Sequence, residues 1–372
     1  NPRSTTSPLT PIYWDNPYFQ RNESYQSDVR DRIYGNITIN YKINDFISLL
    51  SRFALDQYST LQEERVAFGS VSRGFGINNV TSTSGYSRLD KRFRESNLDF
   101  MANFKKDFNE NLSFTGLVGS NIRRSNDNRI FSSTNGGLAV PGTYAIANSK
   151  SSPLAPIENE LNLGVDGYFA NASLGYKRFI FLDVSARNDY SSTLPKGSNS
   201  FFYPSASASF IFSEKLKSLS WLDFGKLRLN VANVGNDAPF ASVKDGYAIL
   251  PVLGSQGMLS VTHVKNNPNL KPEISSTKEL GLEMVFFKKR LGFDFATYTT
   301  NTKNQIFNVS VSPSTGYSSK FVNAGKIQNK GFELNVYGTP FKTKNFDWTV
   351  NVNFSRNINK VIKLFEDEFG NK

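Results

Sequence analysis

The sequence has no cysteine and one histidine, His263, in 372 residues. Without thiols there is no disulfide framework, no thiolate zinc site and no cysteine nucleophile. A single imidazole gives a His-rich metal site or a His-based acid–base pair almost nothing to draw on. No run of about 18 apolar residues occurs, so a membrane-crossing helix is excluded. Disorder is excluded by the opposite property, abundant aromatics, with 32 Phe and 16 Tyr. The 43 Lys and Arg exceed the 32 Asp and Glu, giving a formal charge of +11. Such a balance raises nucleic acid as a partner, but the cations are scattered and the densest groups are short (Lys105-Lys106, Arg123-Arg124, Lys288-Lys289-Arg290). They read as solvated charges at element ends, and no nucleic acid is expected. The chain begins abruptly at Asn1, with neither initiator Met nor signal peptide, and ends in the charged stretch Glu366-Asp367-Glu368; it reads as part of something larger.

What is present is alternation with a period of two, which sends successive side chains to opposite faces of a strand. Ile33, Ile37, Ile39, Tyr41 and Ile43 share one face; Arg32, Tyr34, Asn36, Thr38, Asn40 and Lys42 share the other. After Asn44-Asp45 the pattern resumes with Ile47, Leu49, Phe53 and Leu55, which makes a hairpin. The unit recurs from Leu98, Tyr168, Phe202, Leu280 and Phe332, giving about 12 strands of about 10–13 residues. Ordinary strands average about 5–6, whereas a tilted strand crossing a bilayer needs about 9–11. Turns within pairs are short, such as Asn44-Asp45, Asn109-Glu110-Asn111, Lys177-Arg178 and Lys288-Lys289. Links between pairs are long and rich in Gly, Ser, Asn and Pro, as over 58–94, 125–161 and 235–275.

Short turns at one end and long loops at the other are the pattern of an outer-membrane barrel, because lipid satisfies no free N–H or C=O and the sheet must close. The expected fold is therefore all-β, an antiparallel transmembrane β-barrel segment, multi-pass in the outer membrane, with lipid as one partner. Tyr41, Tyr176, Phe202 and Trp348 suit the aromatic girdles. The competing reading is a β-sandwich, which also alternates; strands this long with one-sided links favour the barrel. Phe100, Leu182, Phe210, Leu282 and Val350 are expected on the lipid face. Asp99, Asp183, Ser209, Glu283 and Asn351 are expected on the other, since a one-residue slip would reverse every assignment. Short turns are expected in the periplasm and long links outside.

Five stretches carry a family resemblance: Asn267-Pro268-Asn269-Leu270-Lys271-Pro272-Glu273; Thr277 to Glu283; Arg187-Asn188-Asp189-Tyr190-Ser191-Ser192 with Phe202-Tyr203-Pro204-Ser205; Leu227 to Asn236; and Asn323-Ala324-Gly325 through Asn329-Lys330-Gly331-Phe332-Glu333-Leu334. Together they resemble SusC/RagA-type TonB-linked outer-membrane proteins, clearly over about 160–360 and more weakly over 16–124. The resemblance implies a 22-stranded barrel with a plug, a TonB box, a SusD-like surface lipoprotein and TonB-driven import of oligosaccharides or peptides in Bacteroidota. On this reading residues 1–372 are barrel, and the plug and N-terminal domains lie outside the sequence. Alternatives are a structural component of a larger outer-membrane assembly, or a siderophore or cobalamin receptor. Pro268 and Pro272 read as an extended lead into a strand, and Gly235, Gly325 and Gly331 as bends or close approaches.

No enzyme chemistry is expected: no catalytic, metal or cofactor residue is identified. His263 reads as a loop histidine, Glu63-Glu64 and Glu366-Asp367-Glu368 as solvated charges. Gly74-Phe75-Gly76 and Gly136-Gly137 lack the helix that a phosphate loop needs. Residues that bind substrate are not identified. Phe68, Phe75, Tyr86, Phe131, Tyr144, Phe240 and Tyr247 are loop aromatics able to meet substrate, a lipoprotein lid or one another, the last being the plainest reading.

Overall fold

The structure, a computed structural model, describes residues 15–71, 83–253 and 256–363. After a short helix, Pro17–Glu23, come twelve long strands: β1 Tyr25–Lys42, β2 Ile47–Val66, β3 Gly85–Asn109, β4 Leu112–Ser133, β5 Ile157–Tyr176, β6 Ile180–Ser191, β7 Ser200–Phe210, β8 Leu222–Asn236, β9 Glu273–Phe286, β10 Leu291–Ser310, β11 Ser319–Lys342 and β12 Asp347–Lys363. They lie in one sheet in chain order, each beside its sequence neighbours; a two-residue strand, Val264–Lys265, joins β11 in parallel and makes the thirteenth member. No described helix is long and apolar enough to cross a membrane.

Except for β6 and β7, of 12 and 11 residues, the strands are longer than the alternation predicts, up to the 25 residues of β3. The expected links 58–94, 125–161 and 235–275 shrink to 67–84, 134–156 and 237–272, and two further links, 192–199 and 311–318, are short. The reason lies in what alternation records. Apolar side chains are needed on one face only where that face leaves water. Beyond it the ladder continues with charges on both faces, as at Arg88, Asp90, Lys91 and Arg94 of β3.

Two compact units share these strands. The smaller holds the long-link ends of β1 to β5. There, ion pairs tie neighbouring strands (Arg32–Asp56 at 2.6 Å, Arg123–Glu95 at 2.7 Å, Lys91–Asp127 at 3.3 Å). Leu138 is buried, and its N–H donates to Ser84 Oγ at 2.9 Å.

In the larger unit the register puts the two expected sets on opposite faces of the sheet. One continuous row runs Ile180, Phe210, Leu227, Leu282, Phe295, Leu334, Phe354 across β6 to β12. The next row over, on the opposite face, runs Phe181, Ser209, Arg228, Gly281, Ala296, Glu333, Ser355. Val350 aligns through Gly338 and Leu291 with Phe286 on the apolar face. Asp99 is buried against Arg52 (2.7 Å) and Asn121 (2.6 Å), while its neighbour Phe100 is exposed. The two predicted sets do not mix.

At the short-turn end of the apolar face, aromatics pair. Trp221 stacks on Phe286 (5.8 Å), Phe341 on Trp348 (5.9 Å), and Phe46 meets Phe104 (5.7 Å). Toward the other end Tyr168 and Tyr190 meet edge-on and Phe202 is exposed. The turns are as short as expected, except that β7 and β8 are joined by 211–221, which includes a 3₁₀ turn, Phe212–Lys215. Phe287, Lys288 and Lys289 all have φ near +60° (57°, 58°, 64°). Such left-handed backbone costs about 1–2 kcal/mol per residue. It is held by Phe287 N–H to the Trp221 carbonyl (3.0 Å) and Lys289 N–H to Asp223 Oδ2 (2.9 Å).

Candidate functional site

Two surfaces of the larger unit carry chemistry: the polar face of the sheet and the long 237–272 link above it. On the polar face Arg228 is the hub. Its guanidinium forks onto Asp294 (2.6 and 3.2 Å) and reaches Glu283 at 3.4 Å. A groove there is lined also by Glu279, Glu333, Asn335 and Asn353. A Cβ on Gly281 would stand 2.8 Å from Arg228 Nε, so only glycine lets the guanidinium lie flat across the neighbouring strand. Gly331 gives the same room to the Tyr298 ring. Further along the same face Arg187 binds Asp189 (2.8 Å), Tyr203 O–H donates to Asp189, and Arg187 lies over Phe169 (5.4 Å). Ser173 Oγ donates to Asp183. The wall presents fixed donors, acceptors and ring faces along one side of the sheet. Sequence reasoning missed the Arg228 hub. Its signal is a cation in mid-strand with Glu283 and Asp294 on the two following strands, and only the register brings the three together.

The Asn267-to-Glu273 segment is the fastener of the long link. Leu270 is fully buried, in a cluster with Leu194, Phe201 and Ala238 flanked by Tyr203, Val243, Ile306 and Phe321. Around it Lys271 N–H donates to Asn323 Oδ1 (2.7 Å), and Asn323 Nδ2 returns to the carbonyls of Lys271 (2.8 Å) and Asn304 (2.9 Å). Glu273 spans two strands, accepting from Asn236 Nδ2 (3.1 Å) and Ile306 N–H (2.7 Å). The structural reading of the motif holds, but Asn267 to Leu270 is a tight turn, with Asn269 N–H on Asn267 Oδ1 (2.9 Å), and not an extended lead. Gly235 packs against Phe201, and Gly325 takes φ +78° opposite Asn304 at φ +58°.

Asp245 clasps the same link. Its carboxylate accepts from the Lys265 ammonium and from Asn266 N–H (2.8 Å), and both lower its pKa below the usual carboxylate value. Lys265 is raised by Asp245 and then by Tyr317. The sign follows. The clasp is intact above the ordinary Asp pKa and is lost as pH falls through the lowered one. It is intact below the ordinary Lys pKa and is lost as pH rises through the raised one. Hydrogen-exchange protection of the Asn266 amide, corrected for intrinsic rate, is therefore expected to be level through neutral pH and to drop in acid; Asp245→Asn is expected to lack the acid step. Unchanged protection in acid excludes the clasp.

The loop aromatics divide. Tyr86 is buried and donates to Glu63 (2.5 Å); Tyr144 is half-buried beneath Arg65 (5.5 Å). Phe131 lies within β4, half-buried. Phe68 and Phe240 are exposed, and Phe75, with Gly74 and Gly76, lies outside the described residues, as does Glu366-Asp367-Glu368. Tyr247 faces water on a hairpin, Tyr247–Leu253 with Gln256–Val261, where Tyr247 pairs with Val261 and Ile249 with Leu259, all four exposed and Ile249 at 86%. His263 contributes its carbonyl, to Ser318 N–H (2.9 Å). Gly136 and Gly137, at φ +71° and +100°, turn the short Asn135–Leu138 and Ser149–Ser151 ladder. Among the described residues no group of three His, Asp or Glu side chains could hold a metal ion.

The family described as TonB dependent receptor-like, β-barrel, matches residues 1–370. TonB-dependent receptor P3 of Formosa agariphila is 24% identical over 355 residues, 94% of this chain and 35% of that protein. TonB-dependent receptor SusC of Bacteroides thetaiotaomicron is 26% identical over 208 residues, covering 53% of this chain and 21% of its own length. The chain thus spans about a third of the length of the first of these relatives. Among solved structures, the RagAB peptide transporter superposes with a TM-score of 0.84 at 20% identity, over 95% of this chain and 38% of that one.

Proposed function

We propose that this chain, which belongs to the TonB dependent receptor-like β-barrel family, is the wall and loop crown of an outer-membrane importer of SusC type. The observation that carries the reading is the two-faced sheet, apolar rows on one side and the Arg228 wall on the other, along a chain that matches the family from residue 1 to 370. The apolar face meets lipid and the polar face lines the import path. β1 and β12 each have one neighbour among the described residues. In lipid their free N–H and C=O groups need partners, which further strands of a longer protein supply, along with plug and TonB box. Short turns lie in the periplasm and long links outside. The cargo is an oligosaccharide or peptide, held by hydrogen bonds and ring faces, and a SusD-like lipoprotein covers the mouth.

The exposed hairpin Tyr247–Val261 supports the place of that lid. Four apolar side chains held in water on a small ladder suit an interface that opens and closes. Leu270, Glu273 and Asn323 fasten the base of the link, so excising residues 246–262 leaves the fastener in place. That excision is expected to reduce co-purification of the lipoprotein about tenfold or more while the barrel still assembles, because loops in water add little to sheet closure. Growth on single glycans or peptides, compared between wild type, a deletion strain and a strain lacking TonB function, tests the transport itself. A deletion strain that grows normally on every substrate yet loses a surface protein favours the structural-platform alternative.

A further inference from the structure

The two faces of β9 to β12 also separate charge. On the polar face stand Glu279, Glu283, Asp294 and Glu333. On the apolar face the rows beyond the apolar ones read Lys278, Thr299, Lys330, Ile358, then Ser276, Asn301, Gln328, Lys360, then Ile274, Lys303, Lys326. One row nearer the short turns Arg356 stands beside Phe332. These positions carry six cations and no carboxylate, and none of the six is in an ion pair among the described residues.

Their height on the sheet is set by the ladder. Rows are two residues apart, about 6.7 Å along a strand, so at a tilt of 35–45° each climbs roughly 5 Å. Five levels on β12, from Trp348 through Val350, Val352 and Phe354 to Arg356, climb about 20 Å, most of the roughly 25 Å of a barrel's lipid-facing band. Lys278 and Lys330 begin where that band ends, on the long-link side.

A groove of about 560 Å³ opens on the same apolar face beside them. Ala206 and Ala208 lie between Leu182 on one side and Leu229 and Val231 on the other, and Leu280 and Lys278 line the groove from the next strand. Small residues between larger ones leave an apolar depression, with a cation at its edge.

We propose that this face binds a phosphorylated glycolipid of the outer leaflet, one acyl chain in the groove and its phosphate between Lys278 and Lys330. The inference rests on the barrel reading and on the sidedness above. Charge complementarity selects the occupant: on an outer membrane the layer at this height carries glycolipid phosphates, and basic residues facing an anionic lipid surface each strengthen binding about fivefold.

The test uses full-length protein in mild detergent, native mass spectrometry, and two probes, lipid A and enzymatically dephosphorylated lipid A. Lys278→Gln with Lys330→Gln is expected to weaken lipid A binding about 30-fold. Dephosphorylation of the probe is expected to do the same to wild type, and Lys288→Gln with Lys289→Gln, at the opposite end of the sheet, is expected to change nothing. Equal binding by wild type and the Lys278/Lys330 variant, or equal binding of both probes, overturns the proposal. Impermeant thiol labelling of Lys303→Cys but not Lys344→Cys on intact cells checks the sidedness separately, and heat-modifiable gel mobility checks barrel assembly. Failure of the lipid site is thereby distinguished from failure of the reading it rests on.

Discussion

Leu270→Ala is expected to release the 237–272 link from the sheet at a local cost of about 2–5 kcal/mol, the range for emptying a fully buried leucine site. Leu270 is inaccessible to solvent, and its cluster joins the link to the neighbouring 192–199 link and to β7, β10 and β11. The hydrogen bonds around it form only while it is seated: Lys271 and Asn323 exchange two of them across the same corner. Amide exchange over 237–272 is expected to accelerate by about 30-fold or more, with the mid-strand amides of β6 to β10 unchanged, since a link on the water side opens without opening the ladder. Asn323→Ala is expected to produce the same pattern more weakly. Unchanged exchange in the link on replacing Leu270 refutes the fastener; a general loss of protection shows a role in barrel assembly.

Leu282→Arg is expected to destabilise the assembled barrel by about 2–4 kcal/mol, the cost of a cation on the lipid face near the bilayer midplane. Leu282 sits in the middle of the apolar row between Leu227 and Phe295. Its neighbour Glu283 provides the contrast. It points to the polar side, 3.4 Å from Arg228, which keeps its forked contact with Asp294 when Glu283 becomes Gln. The Glu283→Gln change is expected to lie within about 1 kcal/mol, as for other partly exposed ion pairs. Urea unfolding midpoints in phospholipid vesicles separate the two. Equal costs for Leu282→Arg and Glu283→Gln would mean that the faces are misassigned.

Strand existence, order and facing were legible because period-two alternation is a local property with a global cause. Each strand from Ile33 to Phe354 repeats the demand of the same two environments, so consecutive strands separated by short turns pair in chain order. Strand ends were not legible. The demand stops at the membrane border while the backbone ladder does not, which hid the outer parts of β3 and β4 in what reads as loop. The loop aromatics were ambiguous for a related reason: Tyr86 and Tyr247 each follow a glycine in a stretch that reads as a link, and only the fold buries one against Glu63 and turns the other to water.

The amino-acid sequence by itself determined the class of the fold, the two faces and, through the Asn267-to-Glu273 and Asn323-to-Leu334 motifs, the family. All of these rest on neighbours a few residues apart. The tertiary structure alone decided which distant residues meet: Arg228 with Asp294 across an intervening strand, Leu270 with Leu194 and Phe201, Lys278 with Lys330 on one row. The physical reason is register. A sheet fixes side-chain neighbours by which residue hydrogen-bonds to which on the adjacent strand, and link length and bulges set that pairing. A charge scattered along the chain, as the 43 basic residues are, therefore becomes a one-sided cluster only once the strands are aligned.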